Sequence, residues 1–309
     1  MKYIAQFPWI GPLATPENAI RLAKAAQDFG FAEISIGEHI AYPKHRDTAH
    51  PYHGALRFRD DDINLEPLTT LSFVAAHTTT LRLRTAIIVL AYHSPFDIAK
   101  QAANVDYLSG GRLLLGVGAG WMKEEFDLLN LPFEKRGTIT DEYIRIVKAI
   151  WRGEDHRDGK IYPFQDLYFP GRTAQKYPPF VIGGSTPPAL RRVARFGDIW
   201  HPLDVTAEEA PGKMEVINEL LVAEGRARGS VRLNGVVFHD WGAGSDFNAD
   251  NAAAPDVDEV RRNADLWEAN GADTCMAVSH HSPYYVSSDE AVRRLEWFAE
   301  HIIHRRSMV

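Results

Sequence analysis

The chain has 309 residues, 45% hydrophobic and 24% charged, an ordinary globular composition with enough apolar material to bury a large core unaided. Its formal net charge of −7 excludes the broad basic surface that a phosphate backbone requires, so no nucleic-acid partner is expected. Cys275 is the only cysteine, which excludes a disulfide framework and thiolate zinc sites. No run approaches the roughly 18–20 apolar residues that would span a bilayer, so no membrane partner is expected.

The first element is an apolar, strand-like stretch, Tyr3–Ile10, interrupted by Gln6 and Pro8. It follows no long apolar leader or small-residue cleavage site, so the expectation is an unexported, cytoplasmic protein. Thr15-Pro16-Glu17 then reads as an N-cap with proline at the first helical position, opening a helix that ends at Phe29-Gly30. A second strand, Glu33–Glu38, leads into a long stretch, Ala41–Leu65, with His45, His50, His53 and Asp60-Asp61-Asp62. Stretches of that length after a strand usually form lids or substrate walls.

A third strand covers Leu83–Leu90. Ser94-Pro95 repeats the capping signal before a helix over Phe96–Leu108, which stops at Gly110-Gly111. Strand Leu113–Val117 and helix Thr140–Arg152 follow, then a second long stretch, Glu154–Pro179. Because it precedes a strand, it fits a brace on the outside of the molecule as well as a wall. The remaining units pair strand Phe180–Gly183 with helix Ala189–Phe196, and Asp198–Pro202 with Glu208–Arg228. Leu233–Phe238 pairs with Val257–Asn270, and Thr274–Val278 with Ser288–His301.

Eight strand-then-helix units in strict alternation imply parallel strands joined by right-handed crossovers. Closing all eight gives an α/β fold of the (β/α)8 TIM-barrel type with insertions, one domain over residues 1–309. An open doubly wound sheet is the competitor. It is weakened by the first turn, Pro8–Thr15, which lacks a G-x-G-x-x-G fingerprint.

Barrel enzymes carry their reactive groups at strand C-termini. Glu38-His39 falls at such an end, and an imidazole there can hand over a proton near neutral pH. Glycines Gly116, Gly118 and Gly120, followed by Trp121, end the fourth strand; they suit close approach to a flat ring, or a tight strand exit. The loop Gly183-Gly184-Ser185-Thr186-Pro187-Pro188 has the form of an anion site at a helix N-terminus, or of a simple N-cap. Histidines His93, His201, His239, His280 and His281 near strand ends raise a metal-dependent hydrolase as a further reading. Strand one has no histidine and strand eight ends without a carboxylate, so no metal is expected.

Beyond these local signals, an ordered set of segments resembles the bacterial luciferase-like monooxygenase family. It comprises Glu66-Pro67-Leu68-Thr69, Leu81–Ala86, Ser94-Pro95 with Ala99-Lys100-Gln101, Leu108–Leu113, Gly116–Trp121, Pro132–Gly137, Ile182–Ser185 and Arg195–Trp200. The nearest resemblance is to the subgroup of F420-dependent-type oxidoreductases. Gly37-Glu38-His39-Ile40 departs from it, since many members carry a second histidine or an aspartate beside the first.

The resemblance implies a reduced deazaflavin, coenzyme F420, at the barrel mouth and hydride transfer to or from a small organic substrate. The alternative is an FMNH2-dependent monooxygenase whose FMN is reduced by a separate enzyme. In either case His39 and Glu38 are the expected catalytic residues. The ring would be held by Ala86, Ile87, Gly118, Gly120 and Trp121, with a non-prolyl cis peptide at Ala86-Ile87, and the phosphate by Gly183, Gly184, Ser185 and Thr186. Trp121, His201 and His280 would face the substrate. Relatives commonly pair through outer helices, so a homodimer is expected. A barrel that only binds its ligand is the remaining alternative.

Overall fold

A computed structural model describes residues 1–44, 62–241, 252–278 and 286–305. His45, His50, His53, Asp60 and Asp61 of the first long stretch lie outside the described residues, as do His280 and His281.

The strands are β1 (Lys2–Gln6), β2 (Glu33–Ile36), β3 (Arg82–Thr85), β4 (Ile88–Val89), β5 (Leu113–Gly118), β6 (Phe180–Gly183), β7 (Ile199–His201), β8 (Arg232–Phe238) and β9 (Ala272–Val278). All pairings between them are parallel. β1 joins β2 on one side and β9 on the other, and β3 and β4 both lie against β5. The sheet therefore closes. β3 and β4 are one barrel strand broken after Thr85, which makes an eight-stranded barrel rather than an open sheet. Parallel strands sandwiched between helices and barrel interior read as near-continuous apolar runs, as β5 does, whereas β2 is equally buried but carries Glu33 and Ser35.

The helices are α1 (Pro16–Asp28), α2 (Pro67–Ala75), α3 (Pro95–Leu108), α4 (Lys123–Leu128), α5 (Arg136–Trp151), α6 (Pro187–Phe196), α7 (Ala210–Ala223), α8 (Val257–Ala269) and α9 (Ser288–Phe298). Capping starts several of them where expected: the Thr15 hydroxyl accepts from Asn18 N at 3.3 Å, and that of Ser94 from Phe96 N at 3.3 Å.

Three expectations need correction. β1 stops at Gln6; Pro8 has no N–H to continue a ladder, and Ile10 instead bridges Asn64. α7 is shorter at both ends than its apolar pattern suggested. α2 is an addition: Pro67, Leu68, Thr70, Leu71, Val74 and Ala75 are all buried, so it shows too little of a polar face to give a helical period. Its start was nonetheless written in Glu66-Pro67, since the Glu66 carboxylate accepts from Leu68 N and Thr69 N.

The second long stretch braces the outside of the barrel. The buried Asp106 carboxylate of α3 accepts from Ala174 N at 2.7 Å and from Gln175 N at 3.0 Å. Glu142 of α5 accepts from Ile161 N at 2.8 Å and Tyr162 N at 2.9 Å. Bonds to a charged acceptor contribute about 1.5–3 kcal/mol each, enough to hold an irregular strap in place.

Apolar packing surrounds the barrel wall, and small clusters fill its interior: Ile4, Val236, Met276 and Val278 in one, Leu114, Val181 and Ile199 in another. Among them sits a polar group, Glu33, Arg84 and Asn234. Among the described residues, no helix is long and apolar enough to cross a membrane.

Candidate active site

Because every strand runs the same way, their C-terminal ends share one mouth, and the segments leaving them converge there. His39 follows β2. Its Nδ1 lies 2.7 Å from Oε2 of Glu125, a fully buried carboxylate on the first turn of α4. The other carboxylate oxygen accepts from Ile40 N at 2.7 Å and Ala41 N at 3.2 Å, and Tyr92 OH donates to Oε2 at 3.2 Å. Burial, followed by the Glu125 charge and hydrogen bond, pushes the Tyr92 phenol well above its ordinary range, so it stays a donor. Aromatic rings surround the imidazole: Trp9 stacked at 6.1 Å, Tyr42 tilted at 4.8 Å and Trp121 edge-on at 6.0 Å. Asn64 Nδ2 donates to the His39 carbonyl at 2.6 Å.

Glu38 does something else. One oxygen lies 2.7 Å from His93 Nε2 and the other accepts from Val89 N at 2.8 Å. Successive residues leaving a strand point in opposite directions, so Glu38 and His39 cannot serve one ring. Glu38, expected beside His39 as a catalytic residue, does not contact it: Glu125 holds His39, while Glu38 holds His93 and the strand break. Burial alone would lower the His93 pKa, but the Glu38 hydrogen bond and charge outweigh it and the net direction is upward.

The Ala86–Ile87 peptide is cis, and Ala86 N donates to Ile36 O at 2.7 Å. This break explains the glycines of β5. A Cβ on Gly116 would collide with the Thr85 carbonyl, and one on Gly118 with the Ile87 side chain. Gly120, at φ +81°, would press on Phe126 and Val89 at 2.8 Å. Gly118 and Gly120 were read as bare backbone for a ring; the space beside them is filled by the chain's own side chains. They set the shape of the mouth from behind. Trp121, next in sequence, is half-buried against His39.

At the β6–α6 turn, Gly184 adopts φ +87°, and its carbonyl accepts from Trp200 Nε1 at 2.9 Å. Gly183 is half-buried, and a Cβ there would meet only ordinary contacts. The Ser185 hydroxyl is engaged by the Asp204 carboxylate, and Thr186, the N-cap, makes no side-chain capping bond. Pro187 and Pro188 carry no N–H, so Ala189 N–H is the donor left in the first turn. The donor set is thus thinner than the glycine-rich pattern suggested.

His201 ends β7 inside the barrel rather than on an open wall. It is 3% exposed and neither ring nitrogen has a hydrogen-bond partner. Burial, with the nearby Arg84 charge adding to it, lowers its pKa to about 3, so it is neutral. His239 accepts from Trp241 Nε1 at 3.2 Å, and burial lowers its pKa to about 4. Among the described residues, no three His, Cys, Asp or Glu side chains gather as a metal site. Sequence reasoning missed Glu125, Trp9, Tyr42 and Tyr92 around His39. Gly37 carried a faint signal for one of them, since a Cβ there would meet the Trp9 ring at 3.0 Å.

Comparison with known proteins bears on this geometry. The profile of the luciferase-like monooxygenase family matches residues 3–240. An uncharacterized protein of Mycobacterium tuberculosis is 30% identical over 294 residues, covering 92% of this chain and 94% of the relative. A solved monooxygenase from Streptomyces bottropensis superposes with a TM-score of 0.75 at 20% identity, over 99% of this chain and 100% of that one. The coenzyme F420 dependent tetrahydromethanopterin reductase of Methanopyrus kandleri does so at 0.73 and 18%, over 98% of this chain and 99% of that one. At such identities these two likenesses speak to the fold.

Proposed function

The chain belongs to the luciferase-like monooxygenase family, and from that membership and the geometry of the mouth we propose a coenzyme F420-dependent oxidoreductase acting on a small organic substrate. The observation that carries the reading is His39, held by Glu125 among Trp9, Tyr42 and Trp121 beside the strand break. A two-electron transfer to or from carbon needs a partner that handles a proton, and an imidazole does this near neutral pH.

The residues fit a flat ring with an anionic tail. Aromatic faces line the mouth around His39. The turn at Gly183–Thr186 leaves Gly183 unobstructed and the α6 N-terminus without a side-chain cap. In this reading Ile87 and Trp121 hold the ring, while Gly183, Gly184 and the backbone N–H groups before α6 hold the phosphate. When bound, the deazaflavin supplies hydride chemistry with little tendency toward oxygen. The protein's part is to exclude water with Trp9, Tyr42 and Trp121, and to take a proton from the substrate, or give one, at His39.

A partial relative, the FMNH2-dependent dimethylsulfone monooxygenase of Pseudomonas putida, 29% identical over 167 residues, supports a second reading, an FMNH2-dependent monooxygenase built on the same mouth. One experiment separates the two. The protein is mixed with reduced F420 or with reduced FMN, first without oxygen and then with it, across a panel of small carbonyl compounds. The proposal predicts substrate-dependent oxidation of F420 without oxygen consumption. Oxygen uptake with reduced FMN alone, coupled to substrate oxygenation, would replace it by the second reading.

A further inference from the structure

Glu125 is a costly residue to bury. A carboxylate without solvent needs partners for its lone pairs, or it destabilises the fold by several kcal/mol. Here it is 0% exposed, on the first turn of the six-residue helix α4, beside the buried side chains of Met122 and Phe126. Its partners come from two other places in the chain: the segment leaving β2, with His39 Nδ1 and the amides of Ile40 and Ala41, and the Tyr92 hydroxyl. The titratable groups facing His39 across these contacts are Glu125, Tyr92 and Tyr42.

We propose that Glu125 is the positioning residue for His39, fixing which ring nitrogen works at the mouth. This rests on the functional reading above for the use made of that nitrogen, but not for the tautomer itself. Two amide N–H groups can only donate to Oε1, and the Tyr92 hydroxyl donates to Oε2, so the carboxylate acts as an acceptor at both oxygens. The fourth contact, at 2.7 Å, then requires a hydrogen on His39 Nδ1. A neutral imidazole with Nδ1–H keeps its lone pair on Nε2, so Nε2 is the atom that takes up or releases the reaction's proton. Glu38, the neighbour in sequence, cannot substitute, because both its oxygens are committed to His93 and Val89 N.

Glu125→Gln separates charge and tautomer from shape. Its amide oxygen still accepts from Ile40 and Ala41, while its NH2 group faces Nδ1. Nδ1 must then accept, and the ring hydrogen moves to Nε2. The test is nitrogen NMR of histidine-labelled, cofactor-free protein at a pH where the ring is neutral, with His39→Gln to assign the signals. The proposal expects a protonated Nδ1 in the wild type and a protonated Nε2 in E125Q. It also expects F420 turnover about 10²- to 10⁴-fold lower in E125Q, the usual contribution of a positioned general acid or base, with F420 affinity within about twofold. A protonated Nε2 in the wild type, or E125Q turning over at the wild-type rate, overturns it. Should E125Q not fold, the wild-type signals alone decide the tautomer. Should F420 fail to bind the wild type, the functional reading falls while the ring assignment still judges Glu125.

Discussion

Two polar groups sit in this largely apolar barrel, and they are built on opposite plans. At the mouth, His39 and Glu125 pair with each other, and the Glu125 carboxylate is further held by two amides of the segment leaving β2 and by the Tyr92 phenol. In the interior, Arg84 lies with Nε 3.0 Å from Glu33 and Nη2 3.1 Å from Asn234, while its Nη1 and both nitrogens of His201 lack partners. Each group contains a histidine at a strand end, and local sequence does not tell them apart. Their surroundings do. The first has a carboxylate 2.7 Å from its Nδ1, whereas burial, with a guanidinium nearby, keeps the second neutral. In the proposed function the chemistry belongs to the mouth, and the interior group bears on stability.

The sharpest way to break this contrast is His39→Ala. It should lower turnover about 10²- to 10⁴-fold while F420 affinity, measured by equilibrium titration, changes little. Unchanged turnover would move the chemistry away from the mouth. Next in size is Arg84→Met, which leaves Glu33 buried with only the more distant Arg82 at 3.8 Å. Breaking a buried pair in this way should cost roughly 3–5 kcal/mol in urea unfolding, and a loss below about 1 kcal/mol would mean that the interior pair matters little. At the mouth, Tyr92→Phe removes one 3.2 Å bond to the Glu125 carboxylate and should cost about 1.5–3 kcal/mol, read by thermal unfolding.

His201→Leu probes the interior group by pH. The unfolded histidine takes a proton near pH 6.5 and the folded one only near about 3, so acid favours unfolding. The stabilisation is present above pH 6.5 and is lost as pH falls toward 3. His239, lowered to about 4, acts in the same direction, whereas His93, raised by Glu38, acts oppositely. Between pH 6.5 and 5.5 the His201 contribution is about 1 kcal/mol, so the leucine variant should lose that much less stability over this step. An identical pH slope in both proteins would contradict the assignment.

Much of the barrel was legible because buried parallel strands are written as apolar runs and because Thr15-Pro16 and Ser94-Pro95 cap helices by local chemistry. α2 was hidden by its burial, and α4 by its six-residue length. The site was legible only as far as single positions go. His39 stood out at a strand end, but Glu125 lies 86 residues away and has an acidic neighbour, Glu124, that local sequence cannot distinguish from it. Glu38 is adjacent in sequence, yet alternation along an extended chain turns it the other way, toward His93. His201 likewise ends a strand, and only closure of the barrel decides that its ring faces inward beside Arg84.

The most direct test is a titration of F420, with FMN in parallel, followed by tryptophan fluorescence in the wild type and in a Trp9→Phe, Trp121→Phe double variant. The account predicts saturable quenching in the wild type that is largely lost in the double variant, because both indoles stand beside His39. No quenching by either cofactor, or quenching that survives both replacements, would put the ring somewhere other than this mouth.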